Sequence, residues 1–148
     1  MRTVLNWLIL ALVTIAATVK IALVLQPATI TQAEAASLPL GAVRYLREQR
    51  PAGPMFNSYN WGGYLIWALY PDYRVFVDGR TDLYDDAFLR DYLKVALVRP
   101  GWEAVVERYD VRLIVIERES VLATVLALTP DPSAVAAGEG RGGWRLVY

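Results

Sequence analysis

The stretch from Asn57 to Asp86, NSYNWGGYLIWALYPDYRVFVDGRTDLYDD, constrains the fold of this 148-residue chain more than any other part. A short strand is expected over Met55–Tyr59. Trp-Gly-Gly-Tyr then opens a segment in which Trp61, Tyr64, Leu65, Ala68 and Leu69 share one helical face, with Asn60 placed to cap it. Pro71 and Asp72 turn the chain into Arg74–Val77, read as a strand of the buried, parallel kind. That strand runs straight into the polar turn Asp78-Gly79-Arg80-Thr81-Asp82. The order is β-α-β, and its charged loop follows the carboxyl end of the second strand, where open α/β sheets place ligands.

The elements around this unit extend the same pattern. Pro39 sits at a helix start, and Leu40, Val43 and Leu46 fall on one face before Pro51-Ala52-Gly53-Pro54 stops the helix. Asp85 or Asp86 can cap a helix whose Phe88, Leu89, Tyr92, Leu93, Ala96 and Leu97 recur at 3.6-residue spacing. A short helix is marked by Trp102, Val105, Val106 and Tyr109, and Leu113–Ile116 reads as the central strand. Ser120 can cap a helix ending near Leu128, Pro130–Gly143 reads as a loop, and Trp144–Tyr148 alternates like an edge strand. The expected fold is α/β: one N-terminal transmembrane helix, then a small sandwich over 39–148 with a mostly parallel sheet of about four strands.

The transmembrane helix is expected over Val4–Leu25, where only Asn6, Thr14, Thr18 and Lys20 are not apolar. A helix of that length spans roughly 33 Å, close to the hydrocarbon thickness of a bilayer. Lys20 lies near its distal end, from which a long side chain can snorkel to the interface. The competing reading is a cleaved signal with Ala33-Glu34-Ala35 as the cleavage site, but the apolar run is longer than a usual h-region and a lysine interrupts it. Residues 26–38 are small, polar and aperiodic, a linker. Arg2 precedes the helix and no further positive residue follows Lys20 until Arg44. The expected topology is therefore single-pass in the cell membrane, with the C-terminal domain extracytoplasmic.

Composition removes several functions. The chain has 15 basic and 15 acidic residues, so it has no basic field to hold nucleic acid. Histidine and cysteine are both absent, which excludes zinc sites built on them, cysteine nucleophiles and the Ser-His-Asp triad. No metal site and no cofactor are expected.

Two features compete for a ligand role. Gly62-Gly63 at a helix start can receive an anion on bare N–H groups, or can simply let the helix approach the sheet. Asp78 and Asp82 can hold a hard cation or sugar hydroxyls, or can serve an ordinary turn in which Arg80 pairs with a neighbouring carboxylate. Tyr59, Trp61, Tyr64, Trp67, Tyr70, Tyr73 and Tyr84 crowd the same region. They suit stacking on a sugar, core packing, or the lipid interface. The expected ligand- or partner-binding residues are Asn60, Trp61, Tyr64, Asp78, Arg80, Thr81 and Asp82, with no catalytic group among them.

The motifs WGGYLIW and VFVDGRTDLY, preceded by PLGAVRYLREQRPAGPMF and followed by a GW-initiated helix and a VRLIVIE strand, carry a family resemblance. The chain resembles the C-terminal region of bacterial polytopic membrane proteins similar to C-class glycosyltransferases, which use polyprenyl-linked sugars. It is more faintly similar to the extracytoplasmic domain of the oligosaccharyltransferase catalytic subunit, where a Trp-Trp-Asp-Tyr-Gly motif helps recognise the acceptor peptide. Trp61 and Tyr64 take the analogous place, and Asp78 and Thr81 the following one. Asn60-Trp61-Gly62 stands where that motif has Trp-Trp-Asp, so peptide recognition does not carry over. The catalytic acids of such enzymes lie between earlier membrane helices absent here. The resemblance therefore implies an accessory or acceptor-binding domain, not an enzyme in isolation. Its implied partners are the lipid bilayer, other transmembrane helices of such a protein, and a glycan or acceptor. A single-pass protein that only binds a partner, with no link to glycosyl transfer, is the alternative.

Overall fold

The computed structural model describes residues 2–128 together with Trp144 and Val147. Contacts divide the chain into two compact units, residues 1–40 and 41–148. In the first, α1 (Arg2–Val24) is one continuous helix without a buried residue. It is long and apolar enough to cross a membrane. Its two threonines are satisfied inside the helix: Thr14 Oγ1 donates to Leu10 O and Thr18 Oγ1 to Thr14 O, each at 2.8 Å. That back-bonding is how hydroxyls are tolerated where no water is present.

The segment expected as an aperiodic linker is instead helical. Helix α2 (Pro27–Ser37) starts on Pro27 at its first turn, after an extended Gln26, and buries nothing. Its alanines, glutamine and glutamate favour helix by intrinsic propensity. Apolar periodicity cannot reveal such a helix, because it has no face to bury.

The second unit is built on a two-stranded parallel sheet, β1 (Met55–Asn57) beside β2 (Leu113–Val115), with Phe56 paired to Ile114. Successive side chains of a strand point to opposite faces. Met55, Leu113 and Val115 pack on one side with Val43 and Leu46 of α3 (Leu40–Gln49) and Leu65, Ala68 and Leu69 of α4 (Gly62–Leu69). Phe56 and Ile114 pack on the other side. Their neighbours there are Val95 of α5 (Asp86–Ala96), Trp102, Val105 and Val106 of α6 (Trp102–Arg108), and Leu122 of α7 (Val121–Leu128). Burying a side chain such as Phe56, 1% exposed, contributes roughly 1.5–3 kcal/mol. Two caps fall where the sequence places them: Asp85 Oδ1 accepts from Phe88 N at 2.7 Å, and Ser120 Oγ accepts from Ala123 N at 3.1 Å.

The fold is thus mostly helical, with seven helices and two strands among the described residues, which form a two-stranded sheet and not the expected four-stranded one. Residues 74–77 have no ladder partner among the described residues, and the backbone bends at Phe76. The expected final strand over 144–148 lies outside the described residues apart from Trp144 and Val147, neither of which is in a strand. Leu113 and Ile114, expected at the sheet centre, are only half-buried, whereas all three residues of β1 are buried.

Candidate binding site

The residue that positions the site is Asn57, the last of β1 and fully buried. Its side-chain amide does the work of a missing strand. Nδ2 donates to Val77 O and to Ser58 O, both at 2.8 Å. Oδ1 accepts from Phe76 N at 2.7 Å and, at longer range, from Val77 N at 3.4 Å. One amide therefore pairs with the 76–77 backbone where a neighbouring strand would. Aromatic packing supports the same segment: the Phe76 ring lies 5.1 Å from Phe56, 4.9 Å from Phe88 and 5.0 Å from Tyr109. Sequence reasoning missed Asn57. A polar residue closing a strand reads as its end, and nothing local tells a capping asparagine from a bridging one.

Gly62 brings the start of α4 onto this segment. A Cβ there would collide with the Val77 carbonyl oxygen and stand 2.6 Å from Asp78 Cα. This is the packing role of a bare glycine. Gly63 differs, since a Cβ there meets nothing within 4 Å. The turn at Tyr59–Trp61, a single 3₁₀ turn before α4, thereby comes beside the Asp78 turn. Asn60 is exposed in that turn, and no side chain caps α4, so the expected capping role of Asn60 is not observed. Trp61 and Tyr64 are half-buried against the α3–α4 side of the core.

Asp78 is buried and closed by its own loop. Its Oδ1 accepts from Arg80 N at 2.9 Å and Arg80 Nε at 3.0 Å, and its Oδ2 accepts from Arg80 Nη2 at 2.6 Å. The bidentate Arg80 guanidinium is the main cause that holds the Asp78 carboxyl at about 2, against the opposing effect of burial. Asp78 N–H donates to Tyr84 Oη at 3.2 Å. Burial pushes the Tyr84 hydroxyl up, and the Asp78 charge pushes in the same direction. The arginine side chain is 63% exposed while the aspartate is 3% exposed, so the pair presents a cation outward. Thr81 and Asp82 follow in an exposed 3₁₀ turn over Thr81–Leu83. Asp78 has both carboxylate oxygens engaged by Arg80 and is poorly placed to share a cation with Asp82. Among the described residues no three acidic groups come together to hold a metal.

A second polar group, not anticipated from the sequence, lies at the carboxyl ends of both strands. Ser58, also buried, has its hydroxyl 2.5 Å from Glu117 Oε1, just beyond β2. Tyr92 Oη accepts from Tyr59 N at 2.9 Å. Burial chiefly raises the Tyr92 hydroxyl, and the Glu117 charge adds to it. These contacts tie β1, β2 and α5 together where the site residues emerge. At the opposite end of β1 is an open groove of about 680 Å³, walled by residues 50–55 and 71–76 and by Tyr109. Tyr73 Oη donates to Pro51 O at 2.8 Å across its two turns. Its size does not outweigh its distance from the Asp78 turn: none of the expected site residues lines it.

Asn60, Arg80, Thr81 and Asp82 are thus exposed, while Asn57, Ser58 and Asp78 beside them in the chain are buried. The chain matches no family model, no curated protein and no solved structure.

Proposed function

We propose that the chain is a membrane-anchored extracytoplasmic accessory or acceptor-binding domain of a glycosyltransferase-like membrane protein. The observation that carries this reading is the close approach of Gly62 to Val77 and Asp78. The two motifs of the resemblance, WGGYLIW and VFVDGRTDLY, are thereby joined into one surface at the carboxyl edge. Asn60, Arg80, Thr81 and Asp82 supply that surface with donors and acceptors of the kind sugar hydroxyls require. Trp61 and Tyr64 act from beneath, packing the start of α4 against the core. Helix α1 anchors the domain with its N-terminus in the cytoplasm.

The binding half is tested with a glycan array probed by the full-length chain in nanodiscs. Retention of glycans that is lost in Arg80→Ala and Thr81→Ala supports the reading. Binding of none, together with co-purification of a membrane protein, refutes it in favour of a partner-binding protein. The topology is tested separately. An impermeant thiol reagent on intact cells should label Glu103→Cys and not Thr3→Cys, and the reverse pattern inverts the orientation.

A further inference from the structure

Helix α4 buries Leu65, Ala68 and Leu69 and turns a different face outward. Gly63 and Trp67, one helical turn apart, lie on that face, and Tyr70 follows at the end of the helix. Trp67 is 78% exposed and Tyr70 69% exposed. The Tyr64 and Trp67 rings lie 5.7 Å apart. Large aromatic side chains left in water at this density call for an occupant.

Charge indicates which one. The chain is neutral overall, but its charges are sorted. In sequence, α3 and the turns after α3 and α4 carry Arg44, Arg47, Arg50 and Arg74 beside Glu48 and Asp72, all of them exposed. Arg47 Nη2 donates to Ala68 O at 2.7 Å, which holds one guanidinium at the carboxyl end of α4 beside Trp67. Residues 78–91 are the reverse, with five aspartates against Arg80 and Arg90. Tryptophan and tyrosine favour the headgroup layer of a bilayer, and arginine favours an anionic one. The same chain contains a helix long and apolar enough to cross a membrane. Only about 15 residues separate that helix from α3, a tether that keeps a bilayer within reach.

We propose that the exposed face of α4, led by Trp67 and Tyr70 and flanked by the arginines of α3, docks on the headgroup layer of an anionic bilayer. This rests on the reading of α1 as a membrane anchor.

The absence of native cysteine makes site-directed spin labelling of the full chain clean. Gly63→Cys places the label on this face without removing an aromatic ring, and the position has room for a side chain. Ile15→Cys reports on α1, and Glu103→Cys on α6 serves as the aqueous control. In vesicles of phosphatidylcholine with phosphatidylglycerol, the Gly63 label should show a positive depth parameter, with oxygen access exceeding that of an aqueous nickel chelate. Glu103 should remain water-like. The Gly63 signal should shift toward water in pure phosphatidylcholine and in Arg44→Glu/Arg74→Glu. An embedded Ile15 with a water-like Gly63 overturns the docking proposal alone. A water-like label at both positions overturns docking and anchor together. An embedded Gly63 with a water-like Ile15 overturns the anchor on which the proposal rests, and the tethered docking with it. A Gly63 label shielded from both oxygen and nickel points to a protein partner and also overturns the proposal.

Discussion

Replacing Asn57 with leucine tests the central structural claim, that a side chain stands in for a strand. The substitution keeps roughly the same volume and removes both halves of the amide. Phe76 N–H, 2.7 Å from Oδ1, and Val77 C=O, 2.8 Å from Nδ2, then lose their partners. Val77 is fully buried, so water cannot replace the bond without opening the segment. Each buried group left unpaired costs about 1–3 kcal/mol, while the added apolar surface offsets part of that. The net loss should be about 2–4 kcal/mol, a large share of the ~5–15 kcal/mol stability of a typical domain.

Urea titration of the full chain in micelles, followed by near-ultraviolet circular dichroism, measures this loss. Helix α1 stays in detergent, so the transition reports the 41–148 unit. Hydrogen exchange in the native chain gives a readout that survives even if the variant fails to fold. The Phe76 amide should be protected like those of β1, although it belongs to no regular element. A loss below about 1 kcal/mol, with a Phe76 amide that exchanges as fast as that of exposed Gly79, would refute the reasoning.

The two glycines at the start of α4 should separate sharply. Gly62→Ala must push back the Val77–Asp78 backbone and should lower the melting temperature by several degrees. Gly63→Ala enters open space and should be neutral, or stabilising by about 0.5–1 kcal/mol through helix propensity. Asp78 should contribute to the acid limb of stability. Its folded pKa of about 2 lies below the ordinary 3.8, so its stabilisation is present above about pH 4 and lost as pH falls through about 2. Asp78→Asn should flatten that limb in melts taken from pH 5 to 2, and an unchanged limb would show that Asp78 does not contribute to it. Removing the α5 cap with Asp85→Ala should cost about 1 kcal/mol by urea titration, since Phe88 N loses its acceptor.

Legibility followed the physical origin of each element. Helices α3, α5 and α6 bury a periodic stripe, and their apolar spacing is written in the sequence. The caps of α5, narrowed to Asp85 or Asp86, and of α7 at Ser120 were legible as local hydrogen bonds, whereas the equally local cap expected at Asn60 is not made. Helix α2 was not legible, since it rests on propensity alone and buries nothing. The 74–77 segment misled because Val75, Phe76 and Val77 are apolar for packing on both sides of the sheet, which a strand and an irregular segment require equally. What decides between them is whether a neighbour supplies backbone partners. Here the neighbour supplies one side chain, and no pattern in residues 74–77 records that. The turn at Asp78 was legible as polar. Its inward commitment follows from the three bonds Arg80 makes to the carboxylate, a geometry that composition does not reveal.

That commitment limits how anything can bind at the carboxyl edge. The buried groups there are already satisfied: Asn57 by Ser58 and residues 76–77, Asp78 by Arg80, Ser58 by Glu117. A ligand that displaced any of them would leave a buried partner unpaired at a cost of about 1–3 kcal/mol per group. On the proposed reading, a ligand would have to use the exposed side chains of Asn60, Thr81 and Asp82, on single 3₁₀ turns, and of Arg80 just before one. Contacts of that kind each contribute little, because they exchange water for ligand at nearly equal strength. A shallow site of this sort gives weak affinity for a freely diffusing molecule. It becomes useful when the ligand is confined to the same membrane, where tethering raises effective concentration toward the millimolar range. Moving the chain from nanodiscs shared with a lipid-linked ligand to free solution should therefore weaken binding far more than any single substitution at the edge. If a soluble form of the same ligand bound equally well, the groups at the edge would have to be more deeply engaged than their exposure allows.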